Sequence, residues 1–132
     1  MKKIFVSGVF ILTLIGTGVV AHAATLASGA LSGGPGATVA ACYIFNAGTD
    51  PITFKDPRIQ LHAQFAPPSS SFYYDDCGAT LAAGAICGIG VSILDNQGYA
   101  CSVHFIGDKG TVRGVMEIRD ATGRVMANSE LR

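Results

Sequence analysis

The sequence predicts an all-β protein, built as a sandwich of two antiparallel sheets that disulfide bonds join. In several runs, apolar side chains recur at every second position, which is the period of a strand with one buried face. No segment keeps apolar residues at helical spacing for three turns. Four cysteines follow an apolar leader, which indicates two disulfides formed in an oxidising compartment.

The first 23 residues resemble a secretory leader, and cleavage is predicted after Ala23. Lysines at positions 2 and 3 supply the positive n-region, an apolar run follows, and residues 21–23 read Ala-His-Ala, as a cleavage site requires. The apolar run of about 17 residues is short for a membrane span. The short n-region is typical of bacterial leaders. We therefore expect a secreted or periplasmic protein with no stable membrane insertion after cleavage.

Lipidation at Cys42 is an alternative, because residues 39–42 (Val-Ala-Ala-Cys) are similar to the box of bacterial lipoproteins. Such a cysteine directly follows the apolar run, whereas here residues 24–41 intervene. Lipidation would also leave three cysteines, an odd number for an oxidising compartment. Disulfide formation is the preferred interpretation.

Removal of the leader leaves 109 residues, the size of one domain. Residues 24–36 are expected to form a flexible arm or a weak first strand, and residues 37–132 the sandwich. The remaining chain has seven basic and nine acidic side chains, a net charge near −2. No basic field exists to attract nucleic acid.

Strands are predicted in order near residues 37–46, 51–56, 58–65, 72–74, 86–94, 99–106, 111–119 and 124–127. Turn residues separate them at 46–51, 67–71, 107–110 and 120–123. Within the later strands, alternation predicts three buried rows, which are Cys87/Ile89/Val91/Ile93, Cys101/Val103/Phe105 and Val112/Gly114/Met116/Ile118. The intervening positions, among them Gly88, Gly90 and His104, are predicted to face water.

The favoured disulfide pairing is Cys42–Cys101 with Cys77–Cys87. The first bridge would link two strands with apolar alternation, and the second would close a loop of ten positions that must fold back on itself. Cys87 shares its parity with the apolar row of its strand, so Cys42–Cys87 with Cys77–Cys101 stays open as the second choice.

Tyr99 precedes Cys101 by two residues, with Asp95 four positions before the tyrosine. This arrangement resembles strand F of immunoglobulin domains, where the tyrosine forms the tyrosine corner. The resemblance implies an immunoglobulin-like sandwich of about seven to nine strands. The absence of tryptophan departs from antibody-type domains.

A second resemblance covers residues 40–106. Residues 42–48 (CYIFNAG) followed by 51–54 (PITF), and the cysteine-bounded segment 77–91, are similar to immunoglobulin-like domains of the abnormal-spindle/Hydin class. Residues 91–95 depart from that pattern, as does the added C-terminal hairpin. Members of the class act as adhesion, scaffold or binding modules, so the resemblance implies no catalytic residues.

Candidates for chemistry are few, and no catalytic site, metal site or cofactor is predicted. His62 and His104 are the two histidines after the leader. A Ser–His–Asp triad can be assembled from Ser70, His62 and Asp75, but no nucleophile-elbow pattern frames a serine. Zinc sites favour cysteines closer together than the ten positions found here. Asp75 and Asp76 could help to hold calcium from a loop.

The candidate contact surface is Phe72, Tyr73, Tyr74, Asp75 and Asp76, beside the Pro/Ser loop. The alternative is that Phe72 and Tyr74 enter the core while Tyr73 is half exposed. We expect an exported, non-catalytic module that binds a protein or a surface polymer. A second candidate is a subunit of a pilus or coat joined by strand addition, and a third is a small secreted hydrolase or enzyme inhibitor.

Overall fold

The computed structural model describes residues 22–64, 72–93 and 97–132, and over these ranges the predicted all-β class is confirmed. Ten strands form two antiparallel sheets, and one short 3-10 turn, Lys109–Thr111, is the single helical element within the described ranges. Three sequence-predicted features lie outside the described residues: the leader up to residue 21, the loop at 67–71 and Asp95.

Sheet A contains β1 (Ala23–Ala27), β2 (Leu31–Ser32), β4 (Ile52–Ala63), β6 (Thr80–Leu81) and β8 (Gly98–Ile106). Its order is β1-β8-β4-β6, and β2 continues the pairing of β1 along β8. In β8 every second residue is buried, so the predicted alternation of this strand is present.

Sheet B contains β3 (Ala37–Asn46), β5 (Tyr74–Asp75), β7 (Ile86–Ser92), β9 (Val112–Asp120) and β10 (Val125–Glu130). Its order is β10-β9-β3-β7-β5, with β3 at the centre. The two sheets enclose one core, in which Phe105, Ile44, Leu61 and Met116 are among the largest fully buried side chains.

The two predicted disulfides are present with the favoured connectivity. Cys42 of β3 and Cys101 of β8 are almost completely buried, and their bond joins the centres of the two sheets. Cys77 is bonded to Cys87 of β7, which fastens the segment between β5 and β6 to sheet B. Since the chain closes loops of 59 and 10 positions, each bond restricts the unfolded chain.

Backbone hydrogen bonds join the two sheets at the margin where β1 and β10 lie. Arg132 and Ala27 exchange two backbone hydrogen bonds, which tie the end of β1 to the second residue beyond β10. On the opposite side, Arg58 of β4 forms an ion pair with Asp75 of β5 and donates to the carbonyl oxygen of Cys77. The two sheets are therefore linked at both margins as well as through the core.

Two predicted elements differ from those observed. The strands predicted at 51–56 and 58–65 are one continuous strand, β4, whose register with β8 shifts between Phe54 and Ile59. Proline at position 57 of the sequence falls between these two residues and has no N–H to donate to a regular ladder. The last strand continues to Glu130 rather than ending near 127, because Leu131 packs against Gly114 in the core.

Candidate functional site

The outer face of β7 is covered at its two central positions, which corrects the prediction that Gly88 and Gly90 face water. Both glycines are buried. A Cβ atom on Gly88 would lie 2.7 Å from the ring of Tyr43, and one on Gly90 would lie 2.3 Å from the ring of Tyr74. The two tyrosine rings thus occupy the space above the glycines on the outer face of sheet B.

Four side chains on this face form a connected group, which we call the tyrosine–arginine cluster. The Tyr74 hydroxyl donates to the Tyr43 hydroxyl at 2.9 Å. The Arg119 guanidinium lies over the Tyr43 ring, 5.2 Å from its centroid, and its Nε donates to Glu117 at 2.8 Å. These contacts fix both rings, since a cation over an aromatic face is attracted by the ring quadrupole.

The electrostatics of the cluster follow from its burial and its hydrogen bonds. Burial, followed by the hydrogen bond to Tyr43, raises the pKa of Tyr74 far above its ordinary value. The hydrogen bond to the Glu117 carboxylate raises the pKa of Arg119. Tyr74 is therefore a neutral hydroxyl and Arg119 a fixed cation throughout the physiological range.

The structure separates the predicted contact residues into different roles. Tyr73 is 72% exposed, whereas Phe72 packs partly against the core. Tyr74, which one alternative placed in the core, lies on the outer face. Asp75 pairs with Arg58 and accepts from the backbone N–H of Cys77 at 3.0 Å, and Asp76 accepts from the N–H of Gly88. Both carboxylates therefore hold the chain in place.

The oxygen and sulfur atoms of Asp76, Cys77 and Cys87 lie within 4.8 Å of one another. The two sulfur atoms form a disulfide, so they offer no thiolate to a metal ion. The carboxylate of Asp76 is engaged by the Gly88 N–H. The disulfide and this hydrogen bond together attach the segment at Asp76 and Cys77 to β7.

Next to the tyrosine–arginine cluster, an open groove of about 540 Å³ crosses the outer face of sheet B. Its apolar lining includes Tyr43, Phe45, Ile86 and Val115, and Arg113 and Glu130 are among its charged members. Phe45 is 38% exposed and Ile86 is 66% exposed, so two large apolar side chains of this groove are open to solvent. The sequence alone did not single out either residue, because their adjacency arises only when β3 pairs with β7 and brings Phe45 opposite Ile86.

The two histidines lie on the outer face of sheet A, away from this groove. His62 Nε2 lies 3.0 Å from Ser102 Oγ, and His104 Nδ1 lies 2.9 Å from Thr25 Oγ1. In the triad assembled from the sequence, Ser70 lies outside the described residues, and the Asp75 carboxylate is paired with Arg58 rather than with His62.

Asn46 is the one buried polar side chain among the described residues, and it organises the end of sheet B. Its amide donates to the carbonyl oxygens of Asp50 and Leu81, at 2.8 and 3.1 Å, and its oxygen accepts from the N–H of Gly48 at 3.0 Å. The predicted turn at 46–48 is thus an Asx-type turn that also fastens β6.

Comparison with protein-family models, with curated proteins and with solved structures finds no match to this chain. Over the described part of the chain, none of the elements is a helix long and apolar enough to cross a bilayer.

Proposed function

We propose that this chain is an exported, non-catalytic binding module with an immunoglobulin-like sandwich. Its contact surface is the outer face of sheet B together with the β5 edge. The immunoglobulin-like assignment is supported by the disulfide between the centres of the two sheets and by Tyr99, which is buried in the same row of β8 as Cys101. Export is supported by the two disulfides, which persist in oxidising compartments.

The observation that carries the proposal is the exposure of three large apolar side chains, two of which, Phe45 and Ile86, line the groove. Tyr73, Ile86 and Phe45 are 72%, 66% and 38% exposed. Single exposed apolar residues are ordinary, but an apolar surface joined to a groove marks a site of interaction. Aromatic residues of this kind contribute most to the free energy of binding at protein interfaces.

The chemistry of the surface indicates the class of partner. The groove carries both a cation, Arg113, and an anion, Glu130, beside its apolar floor. The tyrosine hydroxyls and Arg119 add hydrogen-bonding groups within the same face. A protein or a surface polymer with mixed apolar and polar groups fits this surface better than a highly charged ligand.

The exported form is applied in solution to a glycan array. In a second arm it is immobilised and exposed to the proteins of the extracellular fraction. We expect a Phe45→Ser/Ile86→Ser variant to lose at least about 90% of any specific binding, since loss of a central anchor costs 2 kcal/mol or more. Met126→Ser is the matched control, because Met126 is also 38% exposed but does not line the groove.

Circular dichroism and thermal unfolding establish that both variants fold. Binding that survives in the groove variant, or falls equally in the control, would contradict the assignment of this surface. Turnover of any substrate that depends on His62 or His104 would contradict the non-catalytic role.

A second candidate function is a subunit of a surface assembly joined by strand addition. One observation favours it: β10 lies at the end of sheet B in the described part of the chain, and four of its six residues are exposed. The two candidates differ in solution, because an assembly subunit associates with itself as its concentration rises.

A further inference from the structure

The strand β10 lies at the end of sheet B, and its outward side carries the main-chain groups of Glu130 and Asn128. The N–H of Leu131 donates to the carbonyl oxygen of Gly114 on β9 at 2.9 Å, so the backbone of Leu131 faces β9. Alternate residues of an antiparallel ladder face opposite sides. Glu130 and Asn128, whose register with β9 is continuous, therefore direct their N–H and C=O groups away from β9. Both residues are exposed.

An extended segment already pairs with this side of the chain one step further along. Arg132 lies two positions beyond Glu130 and so faces the same way, and it exchanges two backbone hydrogen bonds with Ala27, at 3.0 and 3.1 Å. Such an exchange between one pair of residues is antiparallel. Gly29 would face Glu130 next, but it donates its N–H to the Ser129 hydroxyl at 3.1 Å instead. The ladder therefore stops after one pair.

A groove of about 480 Å³ lies where this ladder stops. In the part of the chain that the structure describes, no strand occupies this side of β10. Asn128 and Glu130 also line the groove on the outer face of sheet B, so the two grooves meet at these residues. The lining consists of Ala27, Gly29, Asn128, Ser129, Glu130 and Arg132.

The sequence of β10 does not protect this edge. Natural proteins protect exposed edges with lysine and proline, and Val125–Glu130 contains neither. A register shift between Val125 and Ala127 interrupts the strand near its start. The free edge is therefore Asn128, Ser129 and Glu130, which we call the β10 edge. The edge strands β5 and β6 have only two residues each.

We propose that an extended segment of a partner protein adds to the β10 edge as an antiparallel strand, with a lysine or arginine facing Glu130. The direction is that of the Ala27–Arg132 pair, which the added strand continues. Glu130 and Asn128 each exchange two main-chain hydrogen bonds with it, about four in all. In strand addition these bonds supply affinity, and the facing side chains supply specificity. The inference rests on the proposed binding role and adds a main-chain contact to it.

The charge of Glu130 selects the facing residue. Within sheet B, Glu130 faces the apolar Val115. Its ion pair with Arg132 spans 3.8 Å between two exposed side chains, and such pairs contribute little. Opposite charges that face each other across strands stabilise their pairing. A second copy of β10 cannot supply this charge, because Val125–Glu130 contains no basic residue.

Two blocked, fluorescent peptides of about six residues test the facing charge. Valine and threonine alternate in both, and the position that faces Glu130 is lysine in one peptide and glutamate in the other. Fluorescence anisotropy measures their binding to the exported form. We expect the lysine peptide to bind at least about fivefold more tightly than the glutamate peptide. Glu130→Lys is expected to reverse this order, and salt is expected to reduce the preference in both proteins.

A proline variant tests the main-chain contact. Asn128→Pro removes one outward N–H and leaves the bonds to β9 in place, as proline does on an edge strand. We expect it to raise the dissociation constant of the lysine peptide at least about fivefold, because one hydrogen bond is lost. Asn128→Ala keeps the N–H and is expected to leave the constant unchanged. Thermal unfolding shows whether both variants fold, and the Glu130→Lys reversal tests the site independently of them.

Three results would overturn the inference: no binding of either peptide at about 1 mM protein, equal affinity for the two peptides, or a folded Asn128→Pro variant that binds like the parent. Self-association without peptide that Asn128→Pro abolishes would overturn the choice of partner and favour the surface assembly. The groove variant Phe45→Ser/Ile86→Ser is expected to bind the lysine peptide normally. Failure at the β10 edge therefore leaves the binding role of the sheet B groove standing, and the converse also holds.

Discussion

Replacing Asn46 by alanine is expected to destabilise the protein more than any other single change of a polar residue in the described ranges. Asn46 is fully buried, and its side chain holds two segments at once, the turn after β3 and the strand β6. Alanine cannot bond either segment. The buried carbonyl oxygen of Leu81 then loses the amide that satisfies it.

The magnitude follows from the three hydrogen bonds. Each is worth about 1 kcal/mol net, so their loss costs about 3 kcal/mol of the free energy of unfolding. Domains of this size are stable by about 5–15 kcal/mol. At roughly 4 °C per kcal/mol, the melting temperature is expected to fall by about 12 °C. Asn46→Asp keeps the acceptor but turns a carboxylate toward two carbonyl oxygens, so it should cost at least as much at neutral pH.

Urea denaturation followed by circular dichroism measures these changes. The matched control is Asn128→Ala, since Asn128 is an exposed asparagine on β10, and its expected effect is within about 0.5 kcal/mol. The reasoning is refuted if Asn46→Ala and Asn128→Ala unfold at the same urea concentration. It is also refuted if Asn46→Asp is as stable as the parent chain at neutral pH.

Three further predictions concern the disulfides, the glycines and the pH dependence. The free energy of unfolding should fall by about 4 kcal/mol in Cys42→Ala/Cys101→Ala and by about 3 kcal/mol in Cys77→Ala/Cys87→Ala, because the first bond closes the longer loop. If urea denaturation showed the second variant to be the less stable one, the loop-entropy explanation would be wrong. Gly90→Ala should cost about 1–3 kcal/mol by displacing the Tyr74 ring, whereas Gly78→Ala, whose Cβ would meet nothing nearer than 3.7 Å, should leave the melting temperature nearly unchanged. The hydrogen bonds from the Thr122 hydroxyl and then from backbone N–H groups lower the pKa of Asp120. The contribution of this carboxylate to the free energy of unfolding is therefore present above the ordinary carboxyl pKa near 4 and is lost as the pH falls. Asp120→Asn should flatten the acid side of a plot of unfolding free energy against pH, and an unchanged plot would exclude this contribution.

The all-β class and the Cys77–Cys87 disulfide could be predicted because they rest on local patterns. The alternation of Cys101, Val103 and Phe105 requires only the two-residue period of a strand. The pairing of Cys77 with Cys87 follows from their short separation, since a chain that returns within ten positions brings its ends together. Neither inference needs knowledge of how distant segments pack.

The candidate surface could not be predicted in full because it depends on such packing. Gly88 and Gly90 alternate with apolar residues and so look like the wet face of a strand. Only the neighbouring strands show that Tyr43 and Tyr74 fill the space above them. The same reason explains Asp75, whose partner Arg58 lies in the other sheet. The proline at position 57 indicated a break between two strands, yet β4 is continuous with a shift in its register with β8.

The bond between the centres of the two sheets decides how the molecule behaves when its ends are pulled. A force applied to residues on either side of this pair is transmitted from Cys42 to Cys101 through the disulfide bond. The segment between the two cysteines, which spans 59 positions, therefore carries none of that force. At about 3.4 Å for each residue, roughly 200 Å of extended chain length in this segment cannot be pulled out while the disulfide is intact. Only a reductant releases it, so the redox state of the surroundings sets how far this protein can stretch.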